Sequence, residues 1–291
     1  MYNYLIYSQL KNYVKADKSF HMPGHKGRGD FKSKFAVASM DVTELSYTDN
    51  LLCPTGVIAA AQADIAQILG ANDSFILTDG SSSGILAMIY AVSGLGTKII
   101  VPRGSHQSVW NACRLFNLEP VVVQGQSSGG VILPPSPKLI EGLISNDSTI
   151  AGMIVASPDY YGNIAPLKEY SSLLKKYGRH LLVDGAHGAH LAFGQLGAGY
   201  AGVYADLWVD GAHKTLPTLT QGAIVSSNND ELLPALKEGL SMFRTTSPSF
   251  PIMASVEYGL KDIKNNPKIM EDAVAAGTAF RGKFPYCLHP S

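Results

Sequence analysis

The residues that could do chemistry fall in five short clusters, each directly after an apolar run of strand length. Asp79-Gly80-Ser81-Ser82-Ser83-Gly84 follows FILT, and hydroxyls with free N–H groups at a helix start would hold an anion. Pro102-Arg103-Gly104-Ser105-His106 follows KIIV, where the His106 imidazole could stack on a flat ring. Pro158-Asp159-Tyr160-Tyr161-Gly162 follows GMIVAS. Gly185-Ala186-His187-Gly188-Ala189-His190 follows LLVD, whose last residue, Asp184, could partner a protonated ring nitrogen. Gly211-Ala212-His213-Lys214-Thr215 follows LWVD, and a lysine beside an apolar strand and an anion cradle could form an imine.

Each cluster also has an ordinary reading. The serine cluster could simply cap a helix, Asp184 a turn, and His106 a helix start, while Lys214 alone could be solvated. Three other patterns compete. Gly80-Ser81-Ser82-Ser83-Gly84 fits GxSxG, which would make Ser82 a hydrolase nucleophile with Asp184 and one of His187, His190 or His213, but that leaves Lys214 without a task. Gly197-Ala198-Gly199-Tyr200-Ala201-Gly202 fits GxGxxG, yet it precedes a strand and reads as a loop. His21 with His25, or His187 with His190, could suggest a metal, but no carboxylate or thiolate spacing completes a site, so no metal is expected.

The elements that must position these clusters are of α/β type. FILT, KIIV, VVV, GMIVAS, LLVD, LWVD and AIVSS are continuous apolar strands of the kind covered by helices on both faces. Residues 56–70 place Ile58, Ala61, Ile65, Ile68 and Leu69 on one helical face, ending at Gly70. Further helices are expected from about Ser83, His106 and Leu167. In open sheets of this type ligands bind beyond the carboxyl ends of the strands, where the five clusters lie. The chain divides into an arm (1–50), a large domain (51–245) and a short C-terminal segment (246–291).

Composition narrows the classes. With 46% hydrophobic and 16% charged residues the chain is globular. Its 23 basic and 23 acidic residues cancel, which gives no general pull toward nucleic acid or anionic lipid. No run of eighteen apolar residues and no secretory signal is present, and Cys53, Cys113 and Cys287 are isolated, so the expected compartment is the cytoplasm and no disulfide framework is expected.

Several ordered stretches together carry a resemblance: FHMPGHKGR (20–28), DVTEL (41–45), residues 53–84, SHQSVWNA (105–112), VASPDYYGN (155–163), LLVDGAHGAHLAFG (181–194), AHKTLPTLTQGA (212–223) and RTTSPSF (244–250). The chain resembles the Orn/Lys/Arg decarboxylase family of fold-type I pyridoxal phosphate enzymes. The resemblance implies an aminotransferase-like domain with a mostly parallel seven-stranded sheet, and a homodimer with shared active sites. It also implies decarboxylation of lysine, ornithine or arginine to the amine. By matching position, Lys214 would carry the cofactor as an imine, Asp184 would pair with the ring nitrogen, and His106 would stack on the ring. Ser81, Ser82 and Ser83 would hold phosphate, Ala186 and His187 would line the other face, and His213 would sit beside the lysine as an alternative proton donor. Thr245 or Thr246, with Thr246 preferred, would add a contact near the dimer interface.

There are departures from the family pattern. Gly211 replaces a serine, Gly185 a glutamate, Gln107 a lysine and Asp159 a threonine, and Asp79 stands where asparagine is usual. Asp79 or Asp210 would repel phosphate if turned inward. Loss of the hydroxyl at Gly211 predicts weak cofactor binding that Gly211→Ser would repair. The apolar stretch PIMASVEYGL is expected to need burial against a neighbour, and the chain reads as a short form lacking a C-terminal portion, with slow turnover. Two other classes stay open, namely another pyridoxal phosphate reaction, such as amino transfer or β-elimination, and an inactive binding protein.

Overall fold

The computed structural model describes residues 1–13, 21–27, 29–128 and 130–284. Phe20 and Arg28 of the FHMPGHKGR stretch, and Cys287 with the rest of the tail, lie outside the described residues.

The arm holds α1 (Leu5–Tyr13) and α2 (Gly29–Lys34), and α3 (Val57–Leu69) leads into β1 (Asp73–Leu77). Then follow α4 (Ser81–Ser93), β2 (Lys98–Pro102), α5 (Gln107–Leu115), β3 (Glu119–Val123) and the two-residue strands β4 (Ser127–Ser128) and β5 (Val131–Ile132). After α6 (Pro137–Ile144) come β6 (Ile150–Ala156), α7 (Leu167–Lys176), β7 (His180–Gly185), β8 (Leu207–Asp210), α8 (Ala212–Thr215) and β9 (Ala223–Ser227). The chain continues as α9 (Leu233–Phe243), α10 (Phe250–Asn265) and α11 (Lys268–Lys283).

All seven expected strands pair into one sheet of order β1-β9-β8-β7-β6-β2-β3. Only the pairings of β9, with β1 and with β8, are antiparallel. Side chains alternate across the sheet, so each face has its own core. Ile76, Ile100, Met153, Val183 and Trp208 meet residues of α1, α3, α6, α7 and α10 on one face. Leu77, Ile99, Ile154, Leu182 and Val209 meet α4, α5 and α9 on the other. Gly84 lets α4 approach closely, since a Cβ there would lie 2.8 Å from Leu77 and Val209 side chains.

Local signals set the helix ends. Gly70, at φ 69°, terminates α3 as expected. At its other end Asp49 accepts the N–H groups of Gly56 and Ile58 at 2.8 and 2.9 Å. Helix α1 is capped from far away, with Glu257 on α10 accepting from Leu5 N at 2.6 Å and Ile6 N at 2.8 Å. Lys261, one turn on, donates to Glu257 at 2.8 Å, Asp64 at 2.7 Å and the Asn3 carbonyl at 2.7 Å. Glu257 and Lys261 are both fully buried, and each charge is satisfied by partners that the arm and α3 supply.

Helix α10 divides the stretch expected to pack on a neighbour. Phe250, Met253, Ala254, Val256 and Leu260 of the PIMASVEYGL region are buried within their own chain, against α1 and α3, while Tyr258 of the same stretch stays exposed. The GxGxxG stretch is helical only in short 3-10 turns, residues Gly194–Gly199 and Ala201–Val203, ahead of β8. Among the described residues no helix is long and apolar enough to cross a membrane.

Candidate active site

Strands β1, β2, β6, β7 and β8 end along one rim, and the loops that follow enclose a cleft of about 480 Å³. Gly80, Ser81, Ser82, His106, Asp184, Ala186, His187, His213 and Lys214 all line it. Clusters separated by more than a hundred residues are thereby brought together.

One end of the cleft is the first turn of α4. Gly80, at φ 76°, turns the chain so that the N–H groups of Ser81 and Ser82 start the helix with no side-chain cap of their own. Free N–H groups, the helix dipole and two hydroxyls make this end an anion cradle. Ser83 is different. It is buried, and its hydroxyl donates to the Gly80 carbonyl at 2.9 Å, so it braces the turn and does not line the cleft. The backbone N–H of Gly80 also donates to Gln221 O at 2.9 Å, tying the cradle to the segment after Lys214.

Asp184 forms part of the wall at the end of β7. Its Oδ1 accepts the Ala186 N–H at 3.1 Å. Burial pushes its carboxyl up, while that N–H and the nearby His106, Lys214 and His187 pull it back down. His106 caps α5, with Nδ1 accepting from Ser108 N at 3.2 Å, and its exposed ring borders the cleft.

Lys214 sits in the short helix α8, and its exposed Nζ lies 3.2 Å from His187 Nε2. Burial first, and the Lys214 charge second, lower the His187 pKa, so the neutral ring is the acceptor in this pair. His213 Nδ1 lies 3.0 Å from the Gly222 carbonyl, which makes it the donor and leaves Nε2 free. With His187 and His213 committed in this way and His190 absent from the cleft lining, no histidine is hydrogen-bonded to Ser82 among the described residues. The geometry of a serine hydrolase is absent there. Likewise, no three His, Cys, Asp or Glu side chains among the described residues are grouped to hold a metal.

The two carboxylates that would repel a phosphate if turned inward both face elsewhere. Asp79 Oδ2 accepts the Thr245 N–H at 3.3 Å, and the charge of buried Arg244 lies nearby. Burial lowers the Arg244 guanidinium to about 10. Asp210 turns to the opposite side of the sheet, where Tyr200 and Trp208 donate to its Oδ2 at 2.8 and 3.0 Å. Thr246 is exposed and outside the cleft lining of its own chain. Pro158, from the cluster after β6, also lines the cleft, as do Thr220 and Gln221, which reading strand ends did not single out although LPTLTQG contains them.

A flat anionic cofactor fits these residues. The cradle, the buried carboxylate, the imidazole and the lysine converge on one cleft that is open where Lys214 and His106 are exposed.

The chain is 35% identical over 263 residues to the uncharacterized protein YaaO of Bacillus subtilis (strain 168), covering 87% of this chain and 55% of that protein. It is 30% identical over 273 residues to an arginine decarboxylase of the same organism, covering 88% and 54%. It thus spans about half the length of these relatives. The crystal structure of the Francisella novicida lysine decarboxylase LdcF superposes with a TM-score of 0.84 at 21% identity, over 96% of this chain and 43% of that one, and supports the fold. The family model described as Orn/Lys/Arg decarboxylase, major domain, matches residues 5–287, and the chain belongs to that family.

Proposed function

We propose that this chain is the cofactor-binding body of a pyridoxal phosphate-dependent decarboxylase that converts a basic amino acid, lysine, ornithine or arginine, to its amine. The observation that carries the reading is the meeting of Lys214, Asp184, His106 and the Gly80–Ser82 cradle in one cleft.

When bound, the cofactor supplies an electron sink for the pair left behind as the carboxylate departs as carbon dioxide. The protein's part is positioning and proton control. Ser81 and Ser82, with the first N–H groups of α4, would bind the phosphate. Asp184 would keep the ring nitrogen protonated. His106 would cover one face of the ring, with Ala186 and His187 on the other. Lys214 would be the attachment point, held by neutral His187 until it reacts, and Lys214 or His213 would return a proton to Cα. Ser83 would act indirectly by fixing the cradle's turn.

A homodimer with shared sites is part of the proposal, with exposed Thr246 as the contact offered to a partner's cofactor. So is the division into an arm (1–50), a cofactor-binding body (51–245) and a C-terminal segment (246–291), in which α10 joins the last to the first. The cytoplasm is the compartment assigned.

Borohydride reduction after adding pyridoxal phosphate, followed by peptide mapping, tests the reading. The label should fall on Lys214, and Lys214→Ala should abolish the cofactor's bound absorbance. A label on Lys26 or Lys98 would show the assignment to be wrong. Amine and carbon dioxide as products, against an oxo acid, separate decarboxylation from other reactions of the cofactor.

A further inference from the structure

Beside the cleft lies a second cavity of about 390 Å³. Gly104, Ala156, Asp159 and Tyr160 line both, so they form the wall where the two meet. Beyond that wall the second cavity is largely apolar, lined by Val123, Ile132, Leu133 and Pro134, with exposed Arg103 also among its residues.

Asp159 is the acidic residue at this junction, and among the described residues Asp184 is the one other carboxylate lining either space. Its position is fixed. Oδ1 accepts the N–H groups of Tyr161 and Asn163 at 2.8 and 2.9 Å, and Oδ2 accepts from Asn163 Nδ2 at 2.8 Å. Three donors hold it, and a carboxylate offers about four acceptor positions, so one remains for a ligand. A line of contacts runs from Lys214 to this residue. Nζ of Lys214 is 3.2 Å from His187, the His187 ring is 6.2 Å from the Tyr160 ring, and the field of Asp159 acts on His187.

We infer that Asp159 is the specificity-determining residue that reads the distal cation of the amino-acid substrate, and that the apolar second cavity takes whatever extends past it. The inference rests on the decarboxylase reading above. With the substrate's α-amine at Lys214, an aliphatic side chain would run along His187 and Tyr160 toward the junction. A terminal ammonium there would find the remaining lone pair of a held carboxylate, and a longer or bulkier cationic head would continue into the second cavity. Arg103 acts against this in one respect, because it would attract an acidic side chain. It is exposed and makes one long bond of 3.5 Å to Gln124, so it is less fixed than Asp159 and better screened by solvent.

The test is a set of titrations of the cofactor-loaded chain, following the cofactor's absorbance. L-lysine, L-norleucine and L-2-aminoadipate present the same amine and carboxylate on side chains ending in a cation, a methyl and an anion. A charge-assisted hydrogen bond predicts lysine binding roughly tenfold to a hundredfold tighter than norleucine. Asp159→Asn keeps the Oδ1 acceptor, and a flipped Asn163 amide can satisfy the new amide. In this variant the lysine preference should fall to about one, with norleucine binding unchanged. Asp159→Thr gives a second reading if the asparagine variant binds cofactor poorly. Equal binding of lysine and norleucine by the unmodified chain would overturn the inference without any variant, as would a preference that survives in both variants. Tighter binding of aminoadipate would overturn it in favour of Arg103. If no amino acid perturbs the absorbance although the cofactor is attached to Lys214, the decarboxylase reading itself fails, and the inference with it.

Discussion

Asp184 and Asp210 end neighbouring strands, yet the sheet gives them opposite surroundings. In the β7–β8 register Asp184 is level with Val209, and Gly185 with Asp210. Asp184 therefore shares the face of Leu182 and borders the cleft, whereas Asp210 follows Trp208 to the other face. There it is fully buried, Oδ2 takes both available donors, and Oδ1 finds none among the described residues. Burial pushes the Asp210 carboxyl from 3.8 up to about 7. In the unfolded chain it ionises near 3.8. Between these values the folded state holds the extra proton, so this contribution to stability is full at acid pH and is lost as pH rises through the window. The loss is at most about 1.4 kcal/mol per pH unit. Asp210→Asn keeps an acceptor for Tyr200 and Trp208, and should remove this slope. Urea unfolding of both proteins from about pH 4 to about pH 8 checks it, and parallel pH profiles would exclude Asp210 as the titrating group. The sequence marked Asp184, Lys214 and His106 because strand ends in an open sheet face the ligand. It left the direction of Asp79 and Asp210 open, because the face a strand-end side chain takes is set by register with neighbouring strands.

At the scale of elements, the loops after β7 and β8 touch backbone to backbone. A Cβ at Gly211 would lie 2.4 Å from the Ala186 carbonyl, and one at Gly185 would lie 2.9 Å from the Val209 carbonyl and 3.2 Å from Asp210 Oδ1. Both glycines permit an approach that the serine and glutamate usual in the family would obstruct. The expected benefit of Gly211→Ser is therefore reversed. The hydroxyl would arrive with a clash that displaces Ala186, whose N–H holds Asp184. Gly211→Ser should destabilise the fold by about 1 to 3 kcal/mol and weaken cofactor binding. Thermal unfolding and a cofactor titration check both, and tighter binding with an unchanged melting temperature would contradict this account. The seven strands were legible because their Val, Ile and Leu runs are unbroken. Helix α10 was not, because PIMASVEYGL looks like an exposed apolar face until Glu257 and Lys261, charges that a buried helix rarely tolerates, are seen to satisfy each other and the arm. The pairing of two-residue β4 and β5 carries too little pattern to be read from sequence.

At the scale of the whole molecule, the surface beside α10 and α1 stays apolar and concave. Tyr7, Met40, Pro217, Leu219, Pro251 and Tyr258 line a groove of about 350 Å³, the last two on the segment that also leads from Thr246. The homodimer proposed above should appear in light scattering of the cofactor-loaded chain at micromolar concentration, and a monomer there would count against shared sites. The latch between Glu257 and the start of α1 also imposes an order in time. A ribosome makes Leu5 252 residues ahead of Glu257, and the whole sheet is synthesised between them. The first helix therefore waits without its cap while the strands behind it emerge. Its docking closes a loop of about 250 residues, a slow step that local helix formation does not hasten. Residues made before the sheet are thus secured only after it.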